Sequence, residues 1–500
     1  MLSDFKKAAK NSIVYSLGNI ATKLIGLILM PLFTDVNYLS ETDYGVLADV
    51  EIITQLLIAI LGISLYQSLV RWYWDSKIID KQKQIVFTVL VSIAVFSFFA
   101  YIPYRIFINQ ISFFLLHSTS HTYLFKLVFW TAFIQALGVI PFTLLKLQSK
   151  PLLFTISNII KLVITLFLTI YFVAYEKRNV EGIFEAQLIG NLLLFIILLP
   201  YLSKNIEFIF NFKELKRMFE YGYPLILASI SGVLLSVFDR FGLTKVKGLE
   251  ETAIYGIGFK FANTIKLVVV TSIQMAITPM IYQKMYDPDA KVFYKNTMFV
   301  VASIVIIFVL GISLFSYEIV IIFTRNDFFL QAIYIIPILN YALFFGAIKD
   351  IAVIGLNITK KTKIIVTLLT FVATANFILN YFFIPIWGIY GASISTLLSQ
   401  VLFFALVLYY SQKNYPIPYE FKRIILMIIA SSALIAVGFL TNSIGLLFSI
   451  PAKLILVIIF SLFVVKVIMS KEEVKHLEGF YQKWKNPSKF KENIKSMKDD

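Results

Sequence analysis

Long apolar runs separated by polar loops dominate the hydropathy pattern of this 500-residue chain. A membrane-spanning helix needs about 20 mostly apolar residues, and about fourteen such runs follow one another along the sequence. A β-barrel would show short segments in which apolar and polar positions alternate. The pattern therefore predicts an all-α polytopic membrane protein with spans near residues 12–33, 46–70, 85–104, 123–145, 151–174, 182–202, 221–242, 253–280, 298–322, 332–356, 364–384, 388–410, 424–440 and 445–469.

Two stretches that precede long apolar helices indicate an internal repeat. Residues 39–46 read LSETDYGV, and residues 249–257 read LEETAIYGI. A second pair of matches, GIFEA at 182–186 and GIYGA at 388–392, is separated by nearly the same number of positions. Because the two pairs have nearly the same offset, we expect two pseudo-symmetric six-helix lobes, followed by two further helices. The predicted bounds are 1–202 for the first lobe, 221–410 for the second and 411–470 for the last two helices.

The distribution of charge predicts the topology. The chain has 45 Lys and Arg against 29 Asp and Glu, a net charge of +16. Most basic residues fall in the amino terminus, the even-numbered loops and the tail, and positively charged loops stay cytoplasmic. Both termini are therefore expected in the cytoplasm. The basic excess fits contact with anionic membrane lipids rather than nucleic-acid binding. Residues 203–220 are predicted to form an amphipathic cytoplasmic connector, and 471–500 an interfacial basic tail.

Polar side chains recur at steps of three and four in the first, seventh and eighth predicted spans, so they form stripes along a helix face. A cation inside a span is costly unless it faces a watery cavity or an anion. These stripes predict a substrate cavity with the candidate binding residues Asn19, Lys23, Arg240, Lys260, Lys266 and Gln274. A structural alternative stays open, in which the cations snorkel or pair with acids and the other polar groups join helices.

Carboxylates within the spans are candidates for carrying a coupling ion, and they are Glu51, Glu185 and Asp239. Arg240 is also placed to pair with its neighbour Asp239, and Lys349 with Asp350 is expected to form a neutral pair between helices. Lys161 lies near mid-span, but no pattern pairs it with another side chain. The eleventh span has oxygen-bearing side chains that suit either a cation or interhelical hydrogen bonds, namely Thr370, Thr374, Asn376 and Asn380.

Several catalytic arrangements have no basis in this sequence. It lacks a Walker-type phosphate loop. With three histidines and no cysteine, metal catalysis and histidine-based triads have few residues to use. The external loops are short, which argues against a membrane-integrated glycosyltransferase or polymerase. We therefore expect a protein that is not an enzyme and that needs no cofactor or metal.

The opening residues Ser16–Asn19 followed by Lys23, and Tyr44-Gly45 after an acidic loop, resemble the polysaccharide-transporter branch of the multidrug/oligosaccharidyl-lipid/polysaccharide (MOP) exporter superfamily. That branch comprises the Wzx-type flippases of O-antigen and capsule repeat units. The resemblance covers all fourteen predicted spans. It implies two bundles in a V around a central cavity, alternating access, and a location in the cell inner membrane.

The same resemblance implies the substrate and the partners. The substrate would be a polyprenyl-pyrophosphate oligosaccharide for surface polysaccharide, moved from the cytoplasmic to the outer leaflet. A polysaccharide polymerase and export machinery would be the neighbouring proteins. Two other functions stay open, a lipid II flippase and an ion-coupled multidrug exporter of the same superfamily. A drug cation would need acidic cavity residues, whereas here lysines prevail within the spans.

Overall fold

The computed structural model describes residues 25–75, 79–285, 287–470 and 473–474. In these ranges the chain is almost entirely helical and contains no strand. Eleven of the described helical segments are long and apolar enough to cross a membrane. The prediction of an all-α polytopic membrane protein is thereby confirmed.

The α-helices, in chain order, are α1 (Met30–Phe33), α2 (Glu41–Leu61), α3 (Leu65–Trp72), α4 (Gln82–Ile106), α5 (Ile108–Leu116), α6 (Thr122–Leu147), α7 (Pro151–Ile170), α8 (Asn179–Ser203), α9 (Phe212–Val246), α10 (Leu249–Ile265), α11 (Thr271–Gln283), α12 (Ala290–Leu314), α13 (Ser316–Phe323), α14 (Ile336–Ala352), α15 (Ile354–Ile358), α16 (Thr362–Asn414), α17 (Phe421–Leu440) and α18 (Leu446–Phe463). Short π-helical segments are Tyr171–Tyr175, Lys266–Val270 and Val464–Ile468, and 3-10 segments are Ile79–Lys81, Asp327–Tyr334 and Thr441–Ile444.

Helix α16 contains both the eleventh and the twelfth predicted spans. Its 53 residues would measure about 80 Å if straight, far more than the roughly 30 Å of the hydrocarbon layer. Gly388 interrupts the helix with φ +53° and ψ −128°, a conformation that an L side chain rarely adopts. A Cβ added to Gly391 would lie 2.3 Å from the Phe383 carbonyl oxygen, because the chain turns back on itself here. Helix α16 therefore has two arms that meet at Gly388.

Helix α9 is longer than the predicted seventh span. It starts at Phe212, where the side chain of Asn211 accepts a hydrogen bond from the backbone NH of Glu214 at 3.2 Å. At about 1.5 Å per residue, its 35 residues exceed the hydrocarbon thickness by several turns. Part of the predicted connector 203–220 is thus continuous with the seventh span, while the bounds of the domains stay predictions.

The two copies of the repeated sequence pack against each other. Each copy opens a helix, α2 or α10, with acidic residues in the first turn, where the helix dipole favours them. Their tyrosines Tyr44 and Tyr255 are fully buried. A Cβ on Gly45 would lie 2.1 Å from the carbonyl oxygen of Leu249, and one on Gly256 would lie 3.1 Å from the Cβ of Ala48. The repeat thus supplies the close backbone contact between the two halves of the molecule.

The apolar core that joins the halves lies at one end of the molecule, where the predicted external loops lie. At the same end, Asn326 donates a hydrogen bond to the carboxylate of Glu41 at 2.6 Å, and the NH of Arg325 donates to the hydroxyl of Thr34 at 3.1 Å. We call this region the predicted outer end. Because apolar and polar contacts both cross between the halves there, the halves are closed at that end.

The last two long helices, α17 and α18, pack against α12 of the carboxy-terminal half. Lys453 on α18 is completely buried, and its Nζ lies 2.6 and 2.7 Å from the two carboxylate oxygens of Glu318 on α13. Asn442 accepts a further hydrogen bond from Lys453, and Ser449 donates one to Glu318. Because both charged groups also have hydrogen-bond partners, this buried ion pair fixes the position of α18.

Candidate functional site

A cavity of about 490 Å³ lies between the two halves, and we call it the central cavity. Its wall is formed by α2, α6, α7 and α8 of the amino-terminal half, by α9 and α10 of the carboxy-terminal half, and by residues 25–33. The charged side chains of the described residues that line it are Glu51, Lys161, Arg240 and Lys260. The described residues thus place three cations and one carboxylate around one cavity within the spans.

Lys260 on α10 meets Glu51 on α2 in this wall. The Lys260 Nζ lies 3.2 Å from the Glu51 Oε1, so the ion pair bridges the two halves. The same Nζ lies 5.2 Å from the centre of the Tyr44 ring, where the π face adds a further attraction for the cation. Both charged side chains keep a partly exposed surface, and that surface faces the cavity. Two of the predicted site residues are therefore neighbours.

Arg240 on α9 lies in the same wall but does not pair with Asp239. Its Nη1 donates to the carbonyl oxygen of Ala48 at 3.0 Å, and its guanidinium stacks over Phe259 at 4.7 Å. Among the described residues its Nε has no hydrogen-bond partner. A guanidinium has five N–H donors, so Arg240 retains donors for an anion in the cavity.

Asp239 points the other way, into the carboxy-terminal half, where it is fully buried. Four side chains donate hydrogen bonds to its carboxylate, from α10 and from both arms of α16. They are Tyr255 at 2.8 Å, Asn376 at 3.3 Å, Asn380 at 2.7 Å and Thr396 at 2.6 Å. The sequence shows no carboxylate within the polar stripe of the eleventh span. In the structure, Asn376 and Asn380 of that stripe contact the carboxylate of Asp239 from the seventh span.

This cluster has the chemistry of a cation or proton site. A carboxylate with amide and hydroxyl oxygens close by is the type of ligand set that hard cations prefer. The Oδ1 atom of Asn380 is buried without a hydrogen-bond partner among the described residues. No group of three or more His, Cys, Asp or Glu that could hold a metal ion occurs in the described ranges. The cluster thus suits a singly charged ion better than a multi-carboxylate metal centre.

Lys266 lines a different space from Lys260, and Gln274 contacts a residue in the wall of that space. A cavity of about 280 Å³ lies inside the carboxy-terminal half, and Lys266 contributes to its wall together with Lys349 and Asp350. Asp350 pairs with Lys349 and accepts a hydrogen bond from the Gln274 amide. The predicted Lys349–Asp350 pair is thereby confirmed. We call this space the carboxy-half cavity.

The helix geometry explains this separation. Positions six apart on an α-helix point about 120° away from each other, so Lys266 faces away from Lys260. The π-helical segment Lys266–Val270 adds a residue to the turn and rotates everything after it. Gln274 is therefore directed at Asp350 and not at the central cavity.

Glu185 near the start of α8 is held by an arginine and a tyrosine. Both of its carboxylate oxygens lie 3.0 Å from Nη1 of Arg178, and Tyr123 donates to Oε1 at 2.8 Å. Arg178 lies outside the spans, and its hydrogen bond with Glu185 raises the pKa of the guanidinium above its ordinary value. A carboxylate neutralised in this way is less suited to releasing and binding a coupling ion than Asp239.

Two predicted binding residues, Asn19 and Lys23, lie outside the described residues. The structure in turn adds a cation that the sequence did not assign to the site. Lys161 on α7 lines the central cavity, as do the amide side chains of Gln135 and Asn191. A lysine at mid-span was the available signal for Lys161, but the position of α7 relative to α9 and α10 could not be read from the sequence.

Comparison with known proteins gives one family match and several structural matches. The family of polysaccharide biosynthesis proteins matches residues 8–285, more than half of the chain. No curated protein sequence matches the chain significantly.

Among solved structures, the lipid II flippase MurJ in an inward closed conformation superposes with a TM-score of 0.70 at 17% sequence identity, over 91% of this chain and 100% of that chain. A multidrug resistance MATE family transporter in its inward-facing conformation gives a TM-score of 0.61 at 14% identity, over 80% of this chain and 94% of that chain. A MOP superfamily transporter from Pyrococcus furiosus, described as having a binding pocket of reverse polarity, gives 0.58 at 14% identity, over 82% and 95%.

At these identities the structural matches establish a shared fold, and the family match establishes descent. The chain therefore belongs to the polysaccharide biosynthesis protein family, and it has the fold of the lipid II flippase MurJ and of transporters of the MOP superfamily.

Proposed function

We propose that the protein is a flippase for a polyprenyl-pyrophosphate-linked oligosaccharide, which it moves from the cytoplasmic to the outer leaflet of the cell inner membrane by alternating access. The products would serve surface polysaccharide biosynthesis, and a polysaccharide polymerase with its export machinery would act on them next. The distribution of basic residues supports a cytoplasmic location for both termini. The chain acts as a transporter and not as an enzyme.

The observation that carries this proposal is the pair Arg240 and Lys260 in the wall of the central cavity. A pyrophosphate diester has two negative charges, and it cannot enter hydrocarbon without losing its hydration. A guanidinium and an ammonium inside the spans replace that hydration with charge-assisted hydrogen bonds. Cations of this kind select an anionic headgroup and repel the cationic drugs that multidrug exporters carry.

The coupling ion is assigned to Asp239. Of the three candidate carboxylates, Glu51 is paired with Lys260 and Glu185 with Arg178. Asp239 has neutral partners, so its charge is the one that a proton or a sodium ion can balance. Thr396 donates to Asp239 and also lines the carboxy-half cavity, so the site borders a cavity. Ion binding there would connect α9, α10 and α16.

The decisive experiment uses a strain in which the gene is deleted. Its polyprenyl-linked intermediates are extracted and their masses are compared with those of the parent and of a complemented strain. We expect a complete oligosaccharide repeat on polyprenyl pyrophosphate to accumulate while surface polysaccharide disappears. Unchanged surface glycan without accumulated lipid, in a strain with no second flippase, would contradict the proposal.

A lipid II flippase is the second candidate, because the MurJ structure covers 91% of this chain with a TM-score of 0.70. The same extract separates the two functions. Lipid II contains a disaccharide with a peptide, whereas a surface-polysaccharide repeat contains no peptide. Accumulation of the peptide-bearing species, together with cell lysis, would assign the protein to peptidoglycan synthesis.

A further inference from the structure

A second large cavity, of about 550 Å³, opens inside the amino-terminal half. It lies between α2, α3, α6, α7 and α8, and we call it the side cavity. It shares Ile58, Gln135, Lys161 and Asn191 with the central cavity. Because four residues line both spaces, the two cavities adjoin one another. Neither Arg240 nor Lys260 lines the side cavity.

Lys161 stands where the two cavities meet. Within the described part of the chain, no carboxylate forms an ion pair with it and no side chain accepts a hydrogen bond from it. Glu51, the carboxylate of the central cavity, already pairs with Lys260. An ammonium group inside a span is retained only when an anion or water offsets its desolvation. Lys161 is therefore a cation without a protein counter-ion among the described residues, at a position that an anionic ligand in either cavity would reach.

The rest of the side-cavity wall suits a sugar chain. Asn158 and Asn191 each donate to a carbonyl group of their own helix, at 3.0 and 2.7 Å, so their side-chain oxygens remain as acceptors. Gln135 adds a further amide, and Tyr66 and Phe195 supply aromatic surface. Amide groups exchange hydrogen bonds with hydroxyls, and aromatic faces cover the apolar C–H faces of pyranose rings. Such mixed walls with a few placed polar groups are typical of ligand sites.

We propose that the side cavity holds the oligosaccharide and that Lys161 binds the carboxylate of an acidic sugar in it. This inference rests on the proposed flippase function and specifies its substrate class. The two charges of the pyrophosphate are met by Arg240 and Lys260 in the central cavity. Lys161 also lines the side cavity, which Arg240 and Lys260 do not, so its position places the anionic group that it binds on the glycan.

The first test is the composition of the lipid that accumulates in the deletion strain. We expect its oligosaccharide to contain at least one sugar with a carboxylate, such as a hexuronic acid. Accumulation of a neutral repeat would overturn this inference and leave the flippase function intact. Absence of any accumulated lipid would overturn both, so the two failures are distinguishable.

The second test measures binding to the purified protein in nanodiscs. The probes are two synthetic farnesyl-diphosphate disaccharides that differ only in a terminal glucuronic acid or glucose. The wild type should bind the glucuronic acid probe at least about tenfold more tightly, as expected for a charge-assisted hydrogen bond. Lys161→Gln should abolish that preference and bind the glucose probe as the wild type does.

Two controls complete the binding test. Lys216→Gln changes an exposed lysine outside both cavities and should keep the preference. Lys260→Gln should weaken both probes equally. A preference that survives Lys161→Gln, or equal weakening of both probes by Lys161→Gln, would overturn the assignment of Lys161. The neutral probe also reports whether the variant is folded.

Discussion

At the scale of single residues, the ion pair between Glu51 and Lys260 competes with any anionic substrate. Glu51 stabilises the lysine in the empty cavity, and pyrophosphate must displace the carboxylate to reach it. We expect Glu51→Gln to bind farnesyl diphosphate several-fold more tightly than the wild type, since a charge-assisted bond exceeds a neutral one by about 1 kcal/mol. Isothermal titration of the purified protein measures this change, and weaker binding by the variant would contradict it.

Lys260, which lines the central cavity, and Lys23, which the sequence predicts to line it, should be needed for transport and not for folding. Lys260→Ala and Lys23→Ala are expected to abolish surface polysaccharide in the complemented deletion strain, while immunoblots show normal amounts in the membrane. Lys216→Ala, at an exposed position, is the matched control and should complement fully. Full export by both cavity variants would show that these lysines are structural.

Asp239 should carry the response of the protein to its coupling ion. Asp239→Asn keeps the size of the side chain but removes the charge, and it leaves Asn380 and Thr396 facing an amide group. The melting temperature of the wild type should rise with either sodium or proton concentration, because an ion that binds only the folded protein stabilises it. The variant should show no such rise. An equal response of both proteins would remove Asp239 from the coupling mechanism.

At the scale of helices, the ion pair of Lys453 with Glu318 determines how firmly α18 is attached. Removing one partner leaves a buried charge alone and costs about 3–5 kcal/mol, whereas replacing both by neutral groups costs much less. Lys453→Met and Glu318→Gln should each lower the melting temperature in detergent. The double variant should recover most of the loss, and additive losses would contradict this account.

Helix-scale features also show what the sequence could predict. The existence of the spans follows from runs of apolar residues, and the Lys349–Asp350 pair follows from adjacent opposite charges. The partners of Asp239 could not be predicted, because Asn376, Asn380 and Thr396 lie on the two arms of α16, which is distant in sequence from Asp239. The directions in which Lys266 and Gln274 point depend on a π-helical segment. This segment leaves no signature in the hydropathy pattern.

At the scale of the whole molecule, alternating access requires the predicted outer end to open. Glu41 and Asn326 face each other there across the two halves. The natural chain has no cysteine, so Glu41→Cys with Asn326→Cys introduces one pair of thiols. Crosslinking this pair with a short bifunctional reagent should stop flipping of a labelled lipid in proteoliposomes.

Each single cysteine variant, treated with the same reagent, serves as the control and should stay active. With a cleavable reagent, flipping can be measured again after reduction, which should restore the activity of the crosslinked protein. Undiminished flipping after complete crosslinking would mean that the halves do not separate at this end.

The overall arrangement was easier to anticipate than the binding sites. A repeat with one offset and an even number of spans is enough to predict two related bundles. Which side chains meet inside those bundles depends on rotations of each helix by tens of degrees. Asn19 and Lys23 lie outside the described residues, so their part in the cavity stays a prediction.

The close approach at Gly45 has a consequence for the time course of transport. A backbone in van der Waals contact with Leu249 loses about a quarter to a half of that attraction after a displacement of about 0.5–1 Å. Intermediate separations are therefore disfavoured, and packed interfaces of this kind have discrete arrangements rather than a continuous range. The protein should therefore populate two distinct conformations. A distance distribution measured across this end by pulsed electron spin resonance should contain two separate peaks.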